Sequence, residues 1–258
     1  MSTPEMFSLQ GKVAVAIGAG GVLAGAIAKG FAAAGADVAV VDLNPEAAEA
    51  RAKEIRGLGR RAIGVAANAA SKPDLERALQ STLADLGRVD IVLNAAGINS
   101  GTPFFDISED EWQRILDVNL KSVFLACQVF GKHMVNAGQG GSIINISSAS
   151  SGPPLSKVFT YSVTKAGVNQ ITMFLAREFA PANVRVNAIL PGFFPAEQNR
   201  KLLTDDRVES IMRHTPMNRF GDAEELVGAA VYLASPKAAS FVTGTILRVD
   251  GGYLAMTI

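Results

Sequence analysis

The sequence predicts an α/β fold, a doubly wound parallel sheet of about seven strands flanked by helices. Three observations carry that expectation. Short apolar runs recur along the chain without polar alternation, as in strands buried on both faces. Capped amphipathic segments lie between them, and a glycine-rich turn joins the first run to the first such segment. Strand and helix alternate about six times with no proline-rich or charged linker, so residues 1–258 read as one domain.

In chain order, VAVAIG at 13–18 is the first strand and AGAIAKGFAAAGA at 24–36 the first long helix. ADVAVVD is the second strand. Asn44 caps the next helix with Pro45 at its first position, and EAAEARAKEIRGLG runs amphipathically to a closing glycine. RAIGVAAN is the third strand, Ser71 opens the helix after it, and VDIVLNAAG is the fourth strand. Ser108 and Glu111 have capping-box spacing ahead of the long helix EWQRILDVNLKSVFLACQVFGKHM. GSIINISS, VRVNAILPG and TGTILRVDGG complete the strands. Ligands of such sheets bind beyond the carboxyl ends of the strands, so candidate site residues are sought just after each run.

Lysine plus arginine equals aspartate plus glutamate, 24 against 24, so no bulk field draws the chain to nucleic acid or an anionic membrane. A small-molecule partner is expected. The single cysteine, Cys127, sits in the apolar run SVFLACQVF and reads as a packed thiol of a reducing compartment. No signal peptide follows Met1, and the uncharged apolar run 13–28 is short and glycine-rich for a membrane helix. A soluble cytoplasmic protein is expected. His133 and His214 are far apart in sequence with no third ligand in evidence, so no metal is expected.

The turn after the first strand departs from the dinucleotide fingerprint. Gly18 is followed by Gly20, but Leu23 stands where a third glycine belongs. Context still favours a phosphate cradle, because a strand precedes the turn, a helix follows it, and Asp42 closes the second strand where a carboxylate can hold a ribose. Gly20 and Gly21 permit close approach, Val22 still offers its N–H, and Leu23 is a further candidate cofactor contact. The Asp42 charge repels a 2′-phosphate and the loop has no lysine or arginine, so NAD is expected over NADP.

Tyr161 precedes Lys165 by four residues at the start of a helical segment, which puts both on one face. A phenol titrates near 10, a poor base at neutral pH, and lowering it by about 3 units takes roughly 4 kcal/mol. A lysine one helical turn away, helped by an oxidised nicotinamide, is expected to supply that. Ser148, at the end of GSIINISS, is placed to hydrogen-bond a substrate oxygen while Tyr161 exchanges its proton.

These residues, with NAAG at 94–97, DVNLKSVF containing Asn119, RVNAILPG at 185–192 and FVTG…VDGG at 241–252, resemble the short-chain dehydrogenase/reductase family nearly end to end. The resemblance implies a Rossmann-type, nicotinamide-dependent alcohol/ketone oxidoreductase, usually a homotetramer. It implies Tyr161 as acid/base, Lys165 as the group that lowers its pKa and holds the nicotinamide ribose, Ser148 on the substrate oxygen, and Asn119 on a relay water. Asn94, Ala95 and Gly97 would line the adenosine side, and Pro191, Gly192 and Phe194 would hold the carboxamide. The chain departs from the family pattern at Ile17, Val22 and Ala24 in the loop. Asn68 stands for an aspartate that faces adenine, and Ala196 for a threonine near the carboxamide.

Specificity is expected in the segment at about 193–220, where Gln198, Asn199 and Arg200 arrive together, with Arg213 and His214 beyond them. The strings PGFF…QNR and HTPMNRFG resemble those of sugar-acid (fructuronate/mannonate) reductases, which points to a sugar acid or polyol. Two other readings compete. A 3-oxoacyl thioester reductase would use NADPH and recruit an acidic carrier, and Asp42 counts against it. A cofactor-binding regulator without turnover would not need the set of serine, asparagine, tyrosine and lysine.

Overall fold

The computed structural model describes residues 2–153, 155–195 and 203–256. Its seven strands are β1 (Val13–Ile17), β2 (Asp37–Asp42), β3 (Ala62–Ala66), β4 (Ile91–Asn94), β5 (Gly141–Ile146), β6 (Val184–Pro191) and β7 (Ile246–Val249). They form one parallel sheet in the order β3-β2-β1-β4-β5-β6-β7. The order reverses at β1, whose neighbours are β2 and β4, so the chain leaves β1 and β4 in opposite directions and a crevice opens between them. Ile17 at the end of β1 is in register with Val41 on one side and Asn94 on the other.

The central strands are buried on both faces, and β1 shows no exposed residue. The edge strands differ from the expectation of full burial: β3 and β7 are partly exposed, because each has a neighbour on one side only. One core layer packs α2 (Val22–Ala33), α3 (Pro45–Gly57) and α10 (Glu225–Ala234) on the sheet through Ile27, Phe31, Ile55, Leu226 and Leu233. The other packs α4 (Lys72–Leu86), the long helical stretch 109–137 and α8 (Phe159–Phe179) through Leu75, Phe130, Met134 and Val168. Each such side chain contributes roughly 1.5–3 kcal/mol by leaving water. A short helix α1 (Thr3–Phe7) precedes the sheet.

Asn44 caps α3 as expected, accepting from the Ala47 N–H at 3.0 Å. The box at Ser108 is half formed. The serine accepts from the Glu111 N–H, but the Glu111 carboxylate accepts from the Thr102 hydroxyl at 2.9 Å and so ties the preceding loop to the helix. The long helix is α5 (Glu109–Leu116), α6 (Ser122–Ala126) and α7 (Lys132–Ala137), joined by wide π turns at Asp117–Lys121 and Cys127–Gly131. Among the described residues no helix is long and apolar enough to cross a membrane.

Candidate active site

A groove of about 560 Å³ runs along the carboxyl ends of β1, β2 and β4. Gly18 turns out of β1 at φ +81°, and a Cβ there would lie 2.7 Å from the Ala96 nitrogen. At Gly20 a Cβ would meet the Asp42 carboxylate and the Ala47 methyl at 2.8 Å. Both glycines are therefore required by close approach, while the missing third glycine is not, since Leu23 already lies within α2. Gly21 is the N-cap of α2 and brings no side chain across the helix end, so the first N–H groups are left for an anion.

Asp42 accepts from the Gly20 N–H and the Asn44 N–H, both at 3.0 Å, one on each carboxylate oxygen. Each oxygen keeps a lone pair for hydroxyl donors. Gly18, Gly20, Gly21, Val22, Leu23, Asp42, Asn68, Ala95 and Gly97 all line the groove. The Asn68 amide oxygen accepts from the Ala70 N–H at 2.9 Å, which holds the side chain in a turn. Asn94 does not line the groove. It is buried, its amide donates to Asn145 Oδ1 at 2.8 Å and lies 3.5 Å from Cys127 Sγ, and Asn145 donates onward to Thr172. This polar chain ties β4 and β5 to α8 beneath the site, so Asn94 supports the sheet from inside. Burial pushes the Cys127 thiol up to about 12, as expected of a packed, inert thiol.

Tyr161 and Lys165 occupy the first turns of α8 and both reach the groove. Lys165 is buried, its Nζ donates to the Ile146 carbonyl at 2.8 Å, and it lies 5.5 Å from the centre of the Tyr161 ring. Burial alone lowers the lysine to about 8. Burial raises the Tyr161 phenol from its ordinary value, and the Ser148 hydroxyl beside it opposes that shift. The ammonium is turned to a backbone carbonyl and the ring face.

Ser148 accepts from the Ser150 N–H at 3.2 Å and caps a short turn. That turn is tied to α8 by Asn169. The Ser147 hydroxyl donates to Asn169 Oδ1 at 2.6 Å, and the Asn169 amide donates to Ser151 Oγ at 2.9 Å. Asn119 sits in the first π turn, fully buried, and pairs with both backbone groups of Ile98 at 2.8 Å. The turn's i→i−5 bond from Ser122 to Asp117 pushes the helix outward at this point. Gly97 brings the two sides together: a Cβ there would lie 3.5 Å from Asn119 Oδ1 and 3.8 Å from Lys165 Nζ.

A second, smaller cavity of about 130 Å³ adjoins the groove, and the two share Leu23, Asn99, Ile146 and Tyr161. Ser148, Pro191, Gly192 and Phe194 line this cavity rather than the groove. Gln198, Asn199, Arg200 and Ala196 lie outside the described residues. Arg213 and His214 are exposed, and His214 Nδ1 is 2.8 Å from the Ser210 carbonyl. Sequence reasoning passed over Arg207, Asn99 and Asn169. Arg207 carried a signal, since it stands one helical turn before the buried Ile211 on α9 (Asp205–His214) and so faces inward. Among the described residues no group of three or more His, Cys, Asp or Glu side chains could hold a metal.

A doubly wound sheet with a glycine cradle at its switch point, and a phenol, an ammonium and a serine at the mouth, defines a pyridine-nucleotide-dependent oxidoreductase. Comparison with known proteins agrees. A family model described as enoyl-(acyl carrier protein) reductase matches residues 18–254. An oxidoreductase of Bacillus subtilis (strain 168) named UxuB, described as uncharacterized, is 39% identical over 269 residues, covering 96% of each chain. D-threitol dehydrogenase of Mycolicibacterium smegmatis is 37% identical, covering 96% of this chain and 94% of that relative. The crystal structure of a gluconate 5-dehydrogenase from Burkholderia cenocepacia, in complex with NADP and tartrate, superposes with a TM-score of 0.94 at 32% identity, covering 99% of this chain and 100% of that one. The chain belongs to the short-chain dehydrogenase/reductase family.

Proposed function

We propose that the chain interconverts a secondary alcohol and a ketone on a sugar acid or polyol, with NAD as its preferred cofactor. The observation that carries this is the position of Tyr161, which lines both the cofactor-sized groove and the small cavity beside it. The residues present fit a dinucleotide: the cradle at Gly18 and Gly20 has no room for a side chain, and the Asp42 carboxylate stands over its rim. The nicotinamide, when bound, supplies the hydride acceptor for oxidation and the donor for reduction. Tyr161 takes the alcohol proton or returns it, and Ser148 holds the reacting oxygen. A phenol kept protonated by burial is ready as the acid of the reductive direction. To act as a base it needs a positive neighbour, and Lys165 is the cation in reach.

Asp42 supports NAD, since a 2′-phosphate would sit against a carboxylate already anchored by two backbone N–H groups. The names of the relatives, a threitol and a gluconate dehydrogenase, support the substrate class. An acyl thioester reductase is the second reading, favoured by the description of the matching family model. A homotetramer in the cytoplasm completes the proposal. The exposed Phe124, Met173 and Phe174 on neighbouring helices offer an apolar face for another copy. The test is a panel of sugar acids, polyols, simple hydroxy acids and a 3-oxoacyl thioester assayed with NAD(H) and NADP(H). Turnover of polyhydroxy compounds, favoured at least about tenfold with NAD, is expected. Strong NADPH preference together with thioester reduction would reverse the proposal.

A further inference from the structure

The described residues that wall the 130 Å³ cavity beside Tyr161 are neutral with one exception. Among the described residues, Arg207 is the one charged group that lines it. It is half-buried in the first turn of α9, where Ile211, one turn later on the same face, is buried. The guanidinium carries five N–H donors, and among the described residues one is used, in a long 3.4 Å contact to Ser156 Oγ. No ion pair forms with Asp205 or Asp206, its neighbours in the same turn. Removing a cation from water without an anion is unfavourable, and burial does hold this guanidinium below its ordinary value. Asn99, Ser147 and Ser150 add neutral hydrogen-bonding groups along the same wall.

A planar fork of donors beside neutral hydroxyl and amide groups matches a carboxylate borne on a hydroxylated chain. We infer that Arg207 is the carboxylate anchor of the substrate cavity, so that the preferred substrate is a polyhydroxy acid rather than a neutral polyol. This rests on the reading of the cavity as the substrate site. Tyr161 and Ser148 then meet the reacting carbon while Arg207 fixes the far end, which sets which hydroxyl is presented to them. Arg207 binds and selects; the proton chemistry stays with Tyr161.

Two arms test the inference on the full chain, with Arg207→Gln removing the charge and Arg207→Lys retaining it without the fork. In the first, tartrate is titrated calorimetrically into the NADH-loaded protein. Arg207→Gln should weaken tartrate by roughly 10- to 150-fold and Arg207→Lys by less, with NADH affinity within about twofold of wild type for at least one variant. In the second, the ratio of kcat/KM for D-gluconate over D-glucitol should fall in Arg207→Gln by roughly the same factor. Tartrate binding that ignores Arg207, no tartrate binding by the wild type, or a gluconate-to-glucitol ratio equal in wild type and Arg207→Gln would overturn the inference. If wild type turns over neither compound while tartrate binding still depends on Arg207, the proposed substrate class fails and the carboxylate subsite stands.

Discussion

The groove and the cavity meet at Tyr161 but are made of different material. The groove is built by backbone and by small residues: Gly18, Gly20, Gly21, Ala95 and Gly97 bring main chain to the ligand, and the Asp42 carboxylate is held by one N–H of the glycine turn and one of its own loop. The cavity is built by side chains, from Phe193, Phe194 and Phe220 to Leu203 and Arg207, carried on β6, α9 and the segments around them. A backbone cradle suits a ligand that is the same in every turnover. A side-chain wall changes with single substitutions, and is where one member of a family comes to differ from another.

The largest effect that tests this contrast is Gly18→Ala. The new methyl combines a left-handed backbone with a 2.7 Å clash against the Ala96 nitrogen, so a loss of about 3 kcal/mol or more of stability is expected, read as a fall of roughly 6–12 °C in Tm, along with loss of NADH binding. An unchanged Tm and NADH affinity would show that the cradle is not set by close approach. Asp42→Ser comes next. Removing the carboxylate should shift the NAD-to-NADP ratio of kcat/KM toward NADP by roughly 10- to 100-fold while leaving the preference among substrates alone. A changed substrate preference would mean that groove and cavity are not separable.

Asn169→Ala should act between the two. Without the asparagine the turn carrying Ser148 loses its ties to α8, so kcat should fall by roughly 3- to 30-fold with little change in NADH affinity. A change confined to stability, with kcat intact, would make Asn169 merely structural.

The smallest effect is electrostatic. Lys165 is lowered to about 8 when folded against 10.5 when free, so below pH 8 the folded chain carries a costly buried ammonium, and that cost is relieved as pH rises from about 8 to 10.5. Lys165→Met should therefore gain stability relative to wild type at pH 7 and lose about 2 kcal/mol of that gain by pH 9.5, roughly 4–8 °C in Tm. Tyr161, raised by burial, works the other way only above its ordinary value of 10. A Tm difference constant between pH 7 and 9.5 would mean that the lysine is not desolvated.

The same contrast explains how much was readable in advance. The seven strands and the glycine cradle follow from apolar runs and turn residues, because backbone structure depends on local pattern, whereas the strand order comes from the structure. Tyr161 and Lys165 follow from helical spacing. Asn94 was placed wrongly because a strand-end amide faces either groove or interior. What settles it is its register partner Asn145, also an asparagine, which offers the carbonyl that Asn94 needs. The tyrosine's acidity is not legible from spacing alone, because four-residue spacing says that two side chains share a face and leaves open how near the ammonium comes to the hydroxyl. Arg207 was passed over because polar residues after the Pro-Gly turn drew attention before the helix periodicity around Ile211 did.

The central claim is that Tyr161 exchanges the substrate proton while standing at the junction of groove and cavity. Its most direct test is Tyr161→Phe, which removes one oxygen and leaves the ring, assayed for turnover and for NADH affinity on the same preparation. Turnover should fall by about 100- to 10,000-fold while the NADH Kd stays within about threefold of wild type. Turnover above about a tenth of wild type, with the cofactor bound normally, would contradict the account.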